Sequence, residues 1–231
     1  MFELSTAEWT AILLSLRVAT VATLVATPLG IALAWLLARR EFWGKSVLDA
    51  AVHLPLVLPP VVTGYLLLLT FGRRGLVGAW LADHLGIVFA FRWTGAALAS
   101  GNMAFPLLVR PIRLSIEAVD RRLEQAAGTL GAAPWQVFAT VTLPLALPGV
   151  LAGMVLGFAK AIGEFGATIT FVSNRPGETQ TIPSAIYSLI QTPDGDTAAL
   201  RLVVVSIVIA MTALIASEWF ARRATRRLHG N

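Results

Sequence analysis

The chain has 231 residues, of which 56% are hydrophobic and 13% charged, with a mean hydropathy of +0.74, which excludes an ordinary soluble domain. Cysteine is absent, so disulfides, thiolate metal sites and cysteine nucleophiles are excluded too. The formal net charge of +5 comes from basic residues at segment ends, a pattern of membrane orientation and not of nucleic-acid binding.

A spanning helix needs about 20 largely apolar residues. Met1-Phe2-Glu3-Leu4 lacks the basic start of a cleaved signal, so the long apolar run behind it is expected to stay as the first span, Ala11 to Ala38. The second stretch, Val47 to Phe71, holds Pro55, Pro59 and Pro60, which a regular helix cannot all accommodate. Broken backbone at membrane depth is tolerated where it is buried in protein or lines a cavity, which places this segment beside a pathway. Pro-kinked spans also occur with no such role. Leu76 to Phe91 carries Asp83 and His84 and reads as interfacial or re-entrant. The third span, 93–113, is weaker, because Asn102 interrupts it and Pro106, Arg110 and Pro111 follow Asn102 closely. Arg17, near the end of the first span, can snorkel to the interface and receives no role.

The connection over 114–144 is amphipathic. Ile112, Ile116, Val119, Leu123, Ala126, Ala127 and Leu130 recur at helical spacing, with Glu117, Asp120, Arg121, Arg122, Glu124 and Gln125 opposite. Gly131 reads as a helix stop and Pro134 as the first turn of a second short helix. The bland alternative is an amphipathic helix lying on the lipid surface. The fourth span, Leu145 to Val172, contains Lys160 and Glu164 four residues apart, able to pair with each other or to serve a gate. The fifth is Leu202 to Ala221.

With the N-terminus outside, the inner segments hold Arg39, Arg40, Lys45, Arg110, Arg113, Arg121, Arg122, Arg222, Arg223, Arg226 and Arg227. The outer segments hold Arg73, Arg74, Arg92, Arg175 and Arg201. The asymmetry favours N-out, C-in and an odd number of spans, against the dissent of the second-loop arginines. Gly44-Lys45-Ser46 is no phosphate loop, because Arg39 stands where a glycine is required, and His53, His84 and His229 lack metal-ligand spacing. No Gly-x-Ser-x-Gly is present for a serine hydrolase. No cofactor, metal or catalytic residue is expected, and the chain should not bind ATP itself.

Gln125-Ala126-Ala127, three residues, Gly131, nine residues and Val141-Thr142-Leu143-Pro144 match the spacing of the cytoplasmic loop in binding-protein-dependent ABC importer permeases. Glutamine stands where that family usually has glutamate, with Glu124 just before it, and Gly128 where arginine is common. Gly163 to Thr168, Asn174, Pro176 to Thr179, Thr181 to Pro183 and Leu54 to Gly64 narrow the resemblance to the molybdate permeases, with sulfate or thiosulfate and tungstate permeases as relatives. The resemblance implies an all-α, polytopic, type I importer fold in a bacterial inner membrane. It also implies a second copy of the chain, two ABC ATPase subunits and a periplasmic oxyanion-binding protein as partners. Glu124, Gln125, Ala126, Ala127, Gly131, Leu143 and Pro144 would then couple to the ATPase. The candidate pathway residues are Pro59, Pro60, Thr63, Gly64, Glu164, Gly166 and Thr168. Outside the transporter class, the rival is a stand-alone channel or an intramembrane enzyme, neither of which needs a docking loop.

Overall fold

The computed structural model describes residues 3–229, with side chains to residue 216. Met1, Phe2 and the side chains of Arg222, Arg223, Arg226, Arg227 and His229 lie outside the described residues. Every regular element among the described residues is a helix.

α1 (Thr6–Arg39) starts at a capping box, in which Ser5 Oγ accepts from Glu8 N while Glu8 Oε2 accepts from Ser5 N at 2.6 Å. Its 34 residues reach about 50 Å, more than a bilayer core requires. α2 (Lys45–Val57) and α3 (Pro60–Phe71) meet at a bend of 116°. The bend follows from Pro59 and Pro60, which bring no N–H and force the residue before each of them out of the helical region. α4 (Leu76–Leu85) turns back onto the end of α3, where a Cβ on Gly78 would meet the backbone of Phe71 and Gly72.

α5 (Trp93–Glu117) is continuous through Pro106 and Pro111 and packs between α1 and α8 (Leu143–Ile162). α1, α8 with the short helical turns before it, and the apolar part of the last helix are long and apolar enough to cross a membrane, as is the α2–α3 pair taken together. α5 is not among them, since Thr94, Gly95, Ser100, Gly101 and Asn102 dilute its first half. A helix enclosed by protein can carry such residues without exposing them to lipid. Leu108, Val109, Ile112 and Ile116 on α5 are wholly buried. Opposite them, Gly149, Gly153 and Gly157 form a stripe along α8, and a Cβ on Gly153 would lie 2.5 Å from the Leu108 carbonyl oxygen. Small residues four apart let two backbones approach closely, the device by which membrane helices associate.

The amphipathic stripe expected to run from Ile112 to Leu130 on one helix is divided. α5 ends at Glu117, and α6 (Arg121–Thr129) restarts under an Asp120 cap, whose Oδ1 accepts from Arg122 N at 2.9 Å. Ile112 and Ile116 therefore belong to the bundle core, whereas Leu123 and Leu130 are exposed. α7 (Pro134–Val137) runs into a π-helical turn, Phe138–Thr142, before α8. Pro144 has no N–H to offer the turn before it, and Leu143 N bonds back five residues to Phe138 O. The fourth apolar stretch is likewise two helices, α8 and α9 (Gly166–Val172), separated at Gly163-Glu164-Phe165. α10 (Ile182–Leu189) packs on α11 (Asp196–His229) and on α1, where Ser15 Oγ accepts from Ile182 N at 2.7 Å.

Arg201 at the start of α11 donates to both Glu8 oxygens, at 2.9 and 3.2 Å, and so ties the first helix to the last. In detergent, the melting temperature of Glu8→Gln is expected to lie below that of the native chain, because the variant loses the charge that Arg201 pairs with, and thermal unfolding of the two proteins side by side measures the gap.

Candidate coupling surface and pathway

α6 is fastened by one side chain. Glu124 Oε1 accepts from Arg39 Nε at 3.2 Å and Nη2 at 3.0 Å at the end of α1, and from Thr142 Oγ1 at 2.6 Å at the entry to α8. Arg39 Nη2 also donates to Val119 O at 3.1 Å, reaching the α5–α6 junction. The Arg39 and Glu124 side chains are only 9% and 18% exposed, so the pair is sheltered from water. Trp35 packs edge-on against Phe138 at 6.0 Å beside it. Of the expected coupling residues, Glu124 is thus the anchor, whereas Gln125 and Ala126 are exposed and Ala127 is half-buried. Leu143 and Pro144 sit half-buried at the re-entry.

Gly131 adopts φ +89°, and the helix end closes as a Schellman motif: Gly131 N donates to Gly128 O at 3.0 Å and Ala132 N to Ala127 O at 3.2 Å. The outward surface of the turn presents Leu130 at 89% and Trp135 at 69% exposure. Apolar side chains this open on a firmly held turn make it a candidate docking surface.

The pathway candidates come together at the two chain breaks. Pro60, which opens α3, lies against Gly166, which opens α9: a Cβ on Gly166 would be 2.7 Å from Pro60 Cβ. One turn on, a Cβ on Gly64 would be 2.5 Å from the Ala167 carbonyl oxygen. Glu164 is 2% exposed; its Oε2 accepts from Lys160 Nζ at 2.6 Å and its Oε1 from Ala167 N at 3.0 Å. The carboxylate thus bridges the end of α8 to the start of α9. Thr168 Oγ1 donates to Phe165 O at 2.8 Å, while the buried Thr63 Oγ1 has no protein partner among the described residues.

Sequence reasoning missed Arg39 as the partner of Glu124, for which no local signal exists. It also missed the Ser5–Glu8 box and the α8 glycine stripe, which did carry signals: a serine three residues before a glutamate, and glycines four apart. Arg17, given no role, stacks its guanidinium 3.8 Å above the Trp93 ring.

The described residues form an all-helical bundle with one membrane segment bent at Pro59-Pro60, a second apolar stretch broken at Glu164 and a firmly attached outer helical turn. Residues 26–226 match the family described as the binding-protein-dependent transport system inner membrane component, and the chain belongs to that family. It is 61% identical over 220 residues to the molybdenum transport system permease protein ModB of Escherichia coli (strain K12), covering 95% of this chain and 96% of the relative. It is 57% identical over 221 residues to ModB of Haemophilus influenzae, covering 96% of each. A bacterial ABC transporter that imports the acidic polysaccharide alginate has the same fold, with TM-score 0.74 at 21% identity over 95% of this chain and 80% of that one.

Proposed function

We propose that the chain is the permease subunit of an ATP-driven molybdate importer. Two copies form one pathway, two cytoplasmic ATPase subunits energise it, and a periplasmic oxyanion-binding protein loads it, all in the bacterial inner membrane. The near full-length similarity to the ModB proteins supports the cargo. Five spans are proposed, N-out and C-in: α1, the α2–α3 pair, α5, the α8–α9 pair and the apolar part of α11. ATP hydrolysis belongs to the separate subunit.

The observation that carries the coupling reading is the triple bond set of Glu124. A push on α6 passes through Arg39 to α1 and through Thr142 to α8, so the loop and the helices move together. α8 leads directly to the Glu164 break, where α9 bears on α3. Closure of the ATPases then shifts the balance between inward-open and outward-open arrangements of the pathway. A channel or an enzyme acting alone has no use for such a turn.

Gly131 tests the coupling reading. A Cβ there meets nothing within 4 Å, so Gly131→Glu causes no clash inside the chain and costs about 1 kcal/mol for the left-handed backbone. It places a charge beside Leu130 on the docking surface. The variant is expected to insert and pair normally but to lose co-purification with the ATPase and most uptake, with Gly131→Ala milder. Co-purification at native yield with native uptake would contradict the coupling role.

A further inference from the structure

Three of the five arginines that dissent from the orientation rule, Arg73, Arg92 and Arg175, stand together. A cavity of about 690 Å³ opens at the end of the bundle that holds the start of α1, and Arg17, Arg73, Arg92 and Arg175 all line it, with Glu178 the one acidic residue in its wall. They arrive from four separate places: α1, the α3–α4 turn, the residue capping α5, and the loop after α9. Arg175 pairs with Glu178 at 2.6 Å. Among the described residues, neither Arg73 nor Arg92 has a carboxylate within salt-bridge distance, so the cavity keeps a surplus of positive charge.

Three further features point inward. α5, 25 residues long, begins at this cavity, and its Arg92 cap supplies no side-chain acceptor, so the positive end of the helix adds to the field. Arg17 is held in place by its stack on Trp93, the first residue of α5. Phe91 sits in the left-handed region at φ +60°, costly for a bulky residue, and its carbonyl accepts from Arg175 Nη2 at 2.7 Å. Strained backbone of this kind persists where surrounding bonds over-determine it, and it clusters at functional sites.

We infer that this arginine pocket is a receiving site for a tetrahedral, oxygen-rich dianion on the outer side of the permease, upstream of the α3–α9 contact. The inference rests on the proposed cargo and orientation. Guanidinium groups match such an ion geometrically, and low-dielectric walls focus their field. All four arginines are exposed, and the cavity admits the ion together with water, so binding is weak and salt-sensitive. A transit site needs that weakness, because it must release what it receives. A lipid phosphate has the same chemistry, and the test separates the two sources.

The permease–ATPase complex, without binding protein, is dialysed against labelled molybdate at low salt, once in detergent and once in nanodiscs containing phosphatidylglycerol. Native complex is expected to bind in both, and raised salt to release the ion. Arg73→Gln with Arg92→Gln should weaken binding by roughly tenfold or more. Arg74→Gln, next door but outside the cavity wall, should bind like the native chain. Equal loss in Arg74→Gln would reduce the effect to bulk charge, and binding abolished by phosphatidylglycerol would make the pocket a lipid site; either overturns the proposal, as does native binding by the double variant. Failure of the chain to co-purify with the ATPase would instead contradict the permease reading, and anion binding would then be decided on the chain alone.

Discussion

Glu124→Ala is expected to remove most molybdate uptake while leaving the protein folded in the membrane. The substitution deletes the acceptor of three bonds at once and leaves the Arg39 guanidinium, 9% exposed, without its carboxylate. Bonds to charged groups contribute about 1.5–3 kcal/mol each, but three bonds that share one acceptor oxygen do not add, so the attachment of α6 should weaken by about 2–3 kcal/mol. At about 1.4 kcal/mol per factor of ten, that is enough for α6 to detach a large share of the time. Uptake should fall roughly tenfold or more, and amide exchange over 121–129 should rise. Gln125→Ala, on an exposed side chain with no hydrogen bond among the described residues, should stay close to native in both measurements. Similar losses from the two variants would remove Glu124 from its anchoring role.

Gly64→Ala is expected to be strongly damaging in the membrane interior. Its Cβ would fall 2.5 Å from the Ala167 carbonyl oxygen and 2.9 Å from Ala167 Cα, and backbone cannot rotate aside as a side chain can. Overpacking of this kind costs about 1–3 kcal/mol and more where nothing yields. Separating α3 from α9 also disturbs the Glu164 bridge, so the melting temperature in detergent should drop by several degrees and transport should be lost. Gly101→Ala is the matched control, since its nearest neighbour would be Ala22 Cβ at an ordinary 3.6 Å. Equal damage from both would mean that the α3–α9 contact has no special place in the mechanism.

What could be read from the sequence follows the reach of local rules. The break near Pro59, the stop at Gly131 and the restart at Pro134 are set by residues within a turn of each event, and the structure places all three where those residues stand, whereas the break at Glu164 falls inside a stretch that reads as one continuous span. The Lys160–Glu164 pair is four residues apart along the chain, within the same reach, although Glu164 stands just beyond the end of α8. The division of the amphipathic stripe at Asp120 was legible in principle as a cap, but an unbroken helical period conceals a cap inside it. Glu124 and Arg39 are 85 residues apart, and Glu8 and Arg201 are 193 apart, so only tertiary packing unites them. The same holds for the arginine pocket, where charges that look like exceptions along the chain become neighbours in space.

As proposed, this chain, joined to an ATPase and loaded by a binding protein, moves molybdate. Proteoliposomes holding the permease–ATPase complex, with ATP on the ATPase side and the binding protein with labelled molybdate on the other, measure it directly. Accumulation is expected to require ATP and binding protein together and to persist in excess sulfate. Accumulation without ATP, none at all, or accumulation abolished by sulfate would contradict the proposal.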